Sequence, residues 1–121
     1  FDLAHEWAGE RKAFGKPIAH FQGLAFLIAD MATRLEVMRG LVARAAWALD
    51  AGVADGVKLS AMAIAECHEG AMFITNNTVQ VLGGSGYMKD YPAEKYVRDA
   101  MVLPIISGAN EVLKYFMSMR L

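Results

Sequence analysis

An all-α fold, an up-down four-helix bundle with a split last segment, is predicted by three features of this sequence. Apolar residues recur at helical spacing over long runs. Strand-type alternation is absent from the reading throughout. Glycine and proline punctuate the chain where helices would end.

The elements follow in order. Residues 1–14 read as the end of a helix, with Gly15 as the residue after its last turn and Pro17 blocking continuation. The second stretch is the clearest. Leu24, Ile28, Met31, Leu35, Met38, Val42, Ala45 and Leu49 alternate spacings of four and three, an unbroken seam. At 1.5 Å per residue that seam runs roughly 40 Å and calls for antiparallel neighbours of matching length. Asp50, Gly52 and Asp55 mark a turn. A third helix is expected from about Val57 to Leu82, rich in alanine and stopped by Gly83 and Gly84. Residues 85–90 read as a loop. Pro92 opens a short helix to about Ala100, Pro104 breaks the chain, and a last helix covers Glu111 to Arg120.

The totals bound the class. The 121 residues suffice for one domain, residues 1–121. Apolar residues make up 55%, an excess that points to helices covered on several faces or to surface kept for another chain. A net charge of −1 and scattered basic residues exclude a polyanionic partner such as nucleic acid. Cys67 is the single cysteine, which forbids an internal disulfide and fits a reducing compartment. A start at Phe1 in a sequence already helical is expected to reflect a cut through a longer protein.

Several fragments imitate functional motifs and fail on spacing. His5-Glu6 and His68-Glu69 begin like zinc-protease helices, but Gly9 and Met72 stand where the second histidine belongs. With His20 they are expected to be surface or capping histidines. Gly84-Ser85-Gly86 follows a helix rather than a strand and has Lys89 at the third glycine position, so it is no dinucleotide loop. Cys67 and His68 point about 100° apart on a helix, so a nucleophile pair is not expected and Cys67 reads as a buried structural thiol. Met31 and Met38 fall on the seam and read as core.

Four segments in register resemble the acyl-CoA dehydrogenase family. They are Arg11-Lys12-Ala13-Phe14-Gly15-Lys16-Pro17-Ile18 with Phe21-Gln22; Ala29-Asp30-Met31-Ala32-Thr33-Arg34 with Arg44-Ala45-Ala46-Trp47; Val79-Gln80-Val81-Leu82-Gly83-Gly84-Ser85-Gly86-Tyr87 with Tyr91-Pro92 and Arg98-Asp99-Ala100; and Gly108-Ala109-Asn110-Glu111-Val112, ending in Arg120. The resemblance covers essentially the whole chain, as the C-terminal helical bundle lacking the front of its first helix. Its feel is closest to the long-chain and isovaleryl branch.

That resemblance implies an FAD enzyme that oxidises acyl-CoA to 2,3-enoyl-CoA, with electron-transfer flavoprotein as partner. It implies a homo-oligomer, a tetramer or a dimer, in which this bundle contacts a neighbour's FAD. It implies the cytoplasm in a bacterium and the mitochondrial matrix in a eukaryote. Carried over residue by residue, Arg11 would reach the FAD diphosphate, a job its permanent forked charge suits. Phe14 would pack on the cofactor. Gln22 and Gln80 would supply amide contacts. Gly83 and Gly84 would let backbone approach it. Asn110 and Glu111 would open the last helix toward it, and Gly108 would lie at the substrate.

Two positions depart from the family. Many members carry the catalytic glutamate just before the glycine that corresponds to Gly108; Ser107 stands there, and a serine hydroxyl is far too weak to abstract the α-proton. Either the base is relocated upstream, about 26 residues before Arg11 in the long-chain pattern, or the protein is a non-catalytic partner subunit. Ala109 replaces the usual threonine and loses a hydroxyl worth about 1 kcal/mol in a hydrogen bond. The isolated chain is expected to be inactive.

Overall fold

A computed structural model describes residues 1–106 and 108–121. Ser107 lies outside the described residues. Helix α1 spans Asp2–Glu10, and a hairpin follows, β1 Lys12–Ala13 and β2 Lys16–Pro17. A single 3-10 turn, Ile18–His20, leads into α2, Gln22–Asp50. Then come α3 Gly56–Leu82, α4 Gly84–Tyr87, α5 Ala93–Ile106 and α6 Asn110–Ser118. Among the described residues the bundle is all-α apart from the hairpin over 12–17, and its last segment is split between α5 and α6.

Helices α2 and α3 form the antiparallel frame. Arg34 of α2 meets Glu66 of α3 at 2.7 Å, and Ala48 lies against Gly56 at the far end. Two stripes on α3 explain why it is the hub of the domain. Ala63, Cys67, Gly70, Ile74, Thr78 and Val81 recur at three and four residues and face α2. Ala61, Ala65 and His68 form a second buried stripe toward α6. Small residues on both let neighbours approach closely. Thr78 is nearly fully enclosed and donates its hydroxyl to the Ile74 carbonyl at 2.9 Å, so no polar group is stranded.

The predicted seam of α2 is buried in its first part. Met31, Met38 and Ala45 are buried, while Leu24, Ile28 and Leu35 are half-buried against the same core. Val42 and Leu49 are half-exposed instead, at 50% and 51%. They border an open apolar groove with Ala46, Ala63 and Ile64 between α2 and α3. No helix among the described residues is long and apolar enough to cross a membrane.

Four expectations need correction. The first helix stops at Glu10 and not at Phe14, because Arg11 turns to extended backbone at φ −66°, ψ 125°. Phe14 and Gly15 then form a two-residue turn with φ of 51° and 83°, the primed geometry that suits hairpin twist. Gly15 serves this turn and not a helix end. Residues 84–87 form a helical turn within the expected loop. Pro104 lies inside α5 and does not break it. Leu103 and Pro104 are half-buried, so packing holds the last turn despite the missing N–H. The third helix does end at Gly83, whose N–H reaches the Val79 carbonyl at 2.9 Å.

Gly86 shows why α4 sits so tightly on α3. A Cβ there would meet the Val79 carbonyl oxygen at 2.8 Å and the Val79 Cα at 2.9 Å, both backbone atoms that cannot yield. Gly40, by contrast, has open space around it within α2. Gly86→Ala is expected to destabilise the domain by about 1–3 kcal/mol through overpacking. Gly40→Ala is expected to stabilise it by up to about 1 kcal/mol through helix propensity. Thermal or urea denaturation reads both, and equal effects of one sign would contradict this packing.

Candidate functional site

One end of the bundle gathers most of the residues singled out in the sequence. The antiparallel register of α2 and α3 brings Gln22, at the start of α2, level with the last turn of α3, where Gln80 lies. The hairpin returns to this same end. The Ile18 N–H bonds to the Arg11 carbonyl at 2.8 Å, and Ile18, Ala8 and Val81 share one core cluster. Arg11, Phe14, Gln22, Gln80, Gly83 and Gly84 are all exposed there.

Phe14 occupies the hairpin tip at 96% exposure with φ 51°. A bulky residue in the left-handed region is strained by about 1–2 kcal/mol. Its ring stands edge-on to Phe21 at 6.1 Å, and Lys16 Nζ sits 4.4 Å from the Phe21 ring centre. An aromatic ring held out at a strained turn is poor local design for stability and good design for meeting a planar ligand. Arg11 makes no ion pair among the described residues. Its guanidinium is therefore available to an anion.

Gly108, Asn110 and Glu111 lie elsewhere. They begin α6 beside His68 and Glu69, midway along α3 and about 18 Å along its axis from Gln80. Gly108 has φ 83° and Glu111 is exposed. Asn110 is buried, and its Oδ1 lies 2.7 Å from His68 Nδ1. An amide oxygen only accepts, so the imidazole Nδ1–H donates. The expected surface histidine at 68 is thus a buried one, at 5% exposure, whereas His5 and His20 are exposed. Adjacent to this pair, Lys114 Nζ meets Glu69 Oε1 at 2.6 Å. The lysine chiefly holds the Glu69 carboxyl below its ordinary value, with Arg34 and the Asn110 amide adding to it and partial burial opposing.

Cys67 is half-buried along the groove between α2 and α3, and burial, with Glu66 second, pushes its thiol pKa up. It is held as the inert thiol, in keeping with a structural role. The His68–Asn110 bond had no signal in the sequence. Forty-two positions separate the pair, and only the docking of α6 on α3 joins them.

With the fold and both clusters placed, the class is defined. The chain belongs to the acyl-CoA dehydrogenase family: the description "Acyl-CoA dehydrogenase, C-terminal domain" matches residues 1–121. It is 47% identical over 113 residues to acryloyl-CoA reductase (NADH) of Anaerotignum propionicum, covering 93% of this chain and 28% of that protein. It is 43% identical over 112 residues to cyclohexane-1-carbonyl-CoA dehydrogenase of Geobacter metallireducens, covering 93% and 29%. Among solved structures, the FAD complex of PigA superposes with a TM-score of 0.94 at 28% identity, covering 98% of this chain and 31% of the other. The chain thus spans about three-tenths of the length of these relatives. The matches do not separate the long-chain or isovaleryl branch from the rest of the family.

Two outcomes test this geometry. Phe14→Gly is expected to leave the stability of the domain within about 1 kcal/mol of wild type, since relief of strain offsets the lost aromatic contact. A larger loss in denaturant titration would make Phe14 an ordinary packing residue. For the Glu69–Lys114 pair, Glu69 is lowered from 4.5 and Lys114 raised from 10.5. The carboxylate contributes above 4.5 and is lost as pH falls through its lowered folded value; the ammonium contributes below 10.5 and is lost as pH rises through its raised one. The melting-temperature advantage of wild type over Glu69→Gln should therefore be present between those limits and close on both sides. Added salt should shrink it, because both groups are largely exposed.

Proposed function

We propose that this chain is the oligomer-forming, cofactor-contacting domain of an FAD-dependent enzyme that oxidises acyl-CoA to 2,3-enoyl-CoA. The observation that carries it is the gathering of Arg11, Phe14, Gln22 and Gln80, all exposed, at one end of the bundle. The donor set fits FAD. A free guanidinium suits the diphosphate, a projecting ring suits a planar surface, and two amides suit a nucleotide's mixed donors and acceptors. When bound, FAD supplies the hydride-accepting chemistry. Gly83 and Gly84 leave room for close approach at the same end, while Asn110 and Glu111, for the cofactor, and Gly108, for the substrate, form a second station at the start of α6. The reductase name of one relative describes the reverse direction of the same acyl–enoyl couple. Residues that bind and orient serve either direction.

The proton acceptor is a carboxylate supplied from outside this chain, since Ser107 cannot serve. Ser107 also favours a second reading, a non-catalytic partner subunit with a role in assembly. The half-exposed Val42 and Leu49 along the α2–α3 groove support a homo-oligomer, a tetramer or a dimer. Electron-transfer flavoprotein as partner, and a cytoplasmic or mitochondrial-matrix location, complete the reading by family analogy.

The test uses the intact protein with its flavin. Anaerobic acyl-CoA should bleach the flavin absorbance of wild type, and Arg11→Ala should retain FAD about ten- to a hundredfold more weakly, the worth of a charged hydrogen bond. FAD retention unchanged in Arg11→Ala would remove the cofactor role of this end. Flavin bound but never bleached, whatever the acyl chain, would select the non-catalytic reading. The isolated domain should reduce no dye with acyl-CoA.

A further inference from the structure

The start of α6 is tied to α3 by two polar cross-connections at successive residues, and a third, from Lys58 Nζ to the Arg120 carbonyl at 3.5 Å, lies past its far end. His68 Nδ1 lies 2.7 Å from Asn110 Oδ1, with the two residues 5% and 6% exposed. One position on, Glu69 meets Lys114 at 2.6 Å. Asn110 and Lys114 are one helical turn apart on α6, so both links grip the same face. Both links bear on the first turn of α6, and the Asn110 amide is the least of the causes that hold the Glu69 carboxyl below its ordinary value. The Asn110 oxygen accepts the imidazole N–H, and that bond orients the amide.

These two links stand at the point where the chain enters α6. The Ala109 side chain caps nothing, and Gly108 before it is in the left-handed region at φ 83°. Glycine there leaves the backbone with few conformational restraints of its own. Beside these links, Val112, Leu113 and Phe116 of α6 and Val57, Ala61 and Ile64 of α3 face each other across an apolar groove. Apolar packing fixes depth but not rotation or register, because it is non-directional. Hydrogen bonds are directional, and the buried one lies on the first residue of α6.

We propose that His68 is a positioning residue. Through Asn110 it sets the register and rotation of the start of α6, and so the placement of Gly108–Glu111 toward the cofactor and the acyl thioester. The inference rests on the function proposed above for the acyl-facing part; the anchoring of α6 stands on the geometry alone. Nothing in it requires His68 to touch substrate. Its tautomer, with the proton on Nδ1, is the one the Asn110 oxygen demands.

The experiment uses the intact flavoprotein and two substitutions. His68→Leu removes the donor. His68→Asn restores an N–H where the imidazole carries Nδ1–H. Hydrogen exchange of the peptide covering 108–113 should become about tenfold faster in His68→Leu, the equilibrium worth of one hydrogen bond, while the peptide covering 93–106 is unchanged. The rate of flavin bleaching by acyl-CoA should fall ten- to a hundredfold with FAD occupancy intact, and His68→Asn should recover most of both effects. Should His68→Leu not fold, Asn110→Ala breaks the same bond from the α6 side and is read by exchange at 108–113 alone, because Asn110 itself belongs to the proposed binding station. Unchanged exchange at 108–113, or His68→Asn no better than His68→Leu, overturns the proposal. Faster exchange with an unaltered bleaching rate overturns its catalytic half. A wild type that binds FAD but is never bleached sinks the dehydrogenase reading, and the exchange data then still decide whether His68 anchors α6.

Discussion

The contact between α2 and α3 is the constraint from which the remaining geometry follows. Small residues on α3, above all Gly70 against Met38 and Ala63 beside Ala45, let two long helices lie close along most of their length. Once that register is set, the ends are set. The start of α2 falls beside the last turn of α3, and every element that docks on α3 inherits a fixed height along it. Burial of Met31, Met38, Ile74 and Val81 in one cluster holds the pair together. Each such side chain contributes roughly 1.5–3 kcal/mol when fully withdrawn from water.

Two groups of functional interest result, at different heights on the same helix. The end cluster is built by the hairpin, the start of α2 and the close of α3. The mid-helix cluster is built by α6 resting on His68 and Glu69. They differ in physical character. At the end, charged, amide and aromatic groups are left largely in solvent, one of them on strained backbone. Such groups add little to folding and are suited to binding something else. At mid-helix, the polar groups satisfy one another, so their role is to hold a segment in place.

How much of this could be read in advance depended on the range of the interactions involved. The α2 seam and the stop at Gly83 were visible because helix period and chain termination are local properties of a few neighbouring residues. Residues 11–17 were misread for an instructive reason. Gly15 followed by Pro17 suits a helix end as well as a hairpin, and periodicity over six residues cannot separate them. What decides is the packing of Ala13 and Phe21 on the core, which draws the strands back. Pro104 was misread in the opposite direction: a local breaker was overruled by the half-buried surface around it. The resemblance reached the right fold and family because it drew on four separated segments at once.

By itself, then, the sequence determined which stretches are helical, which stripes seek burial and which family pattern the residues follow, since all of these are written in spacing along one dimension. The tertiary structure alone decided that Gln22 and Gln80 share an end, that Phe14 projects from a strained turn, and that His68 is buried against Asn110. Those facts depend on how rigid helices dock. Docking brings residues forty or more positions apart into hydrogen-bonding range, and no local preference of the chain encodes that distance.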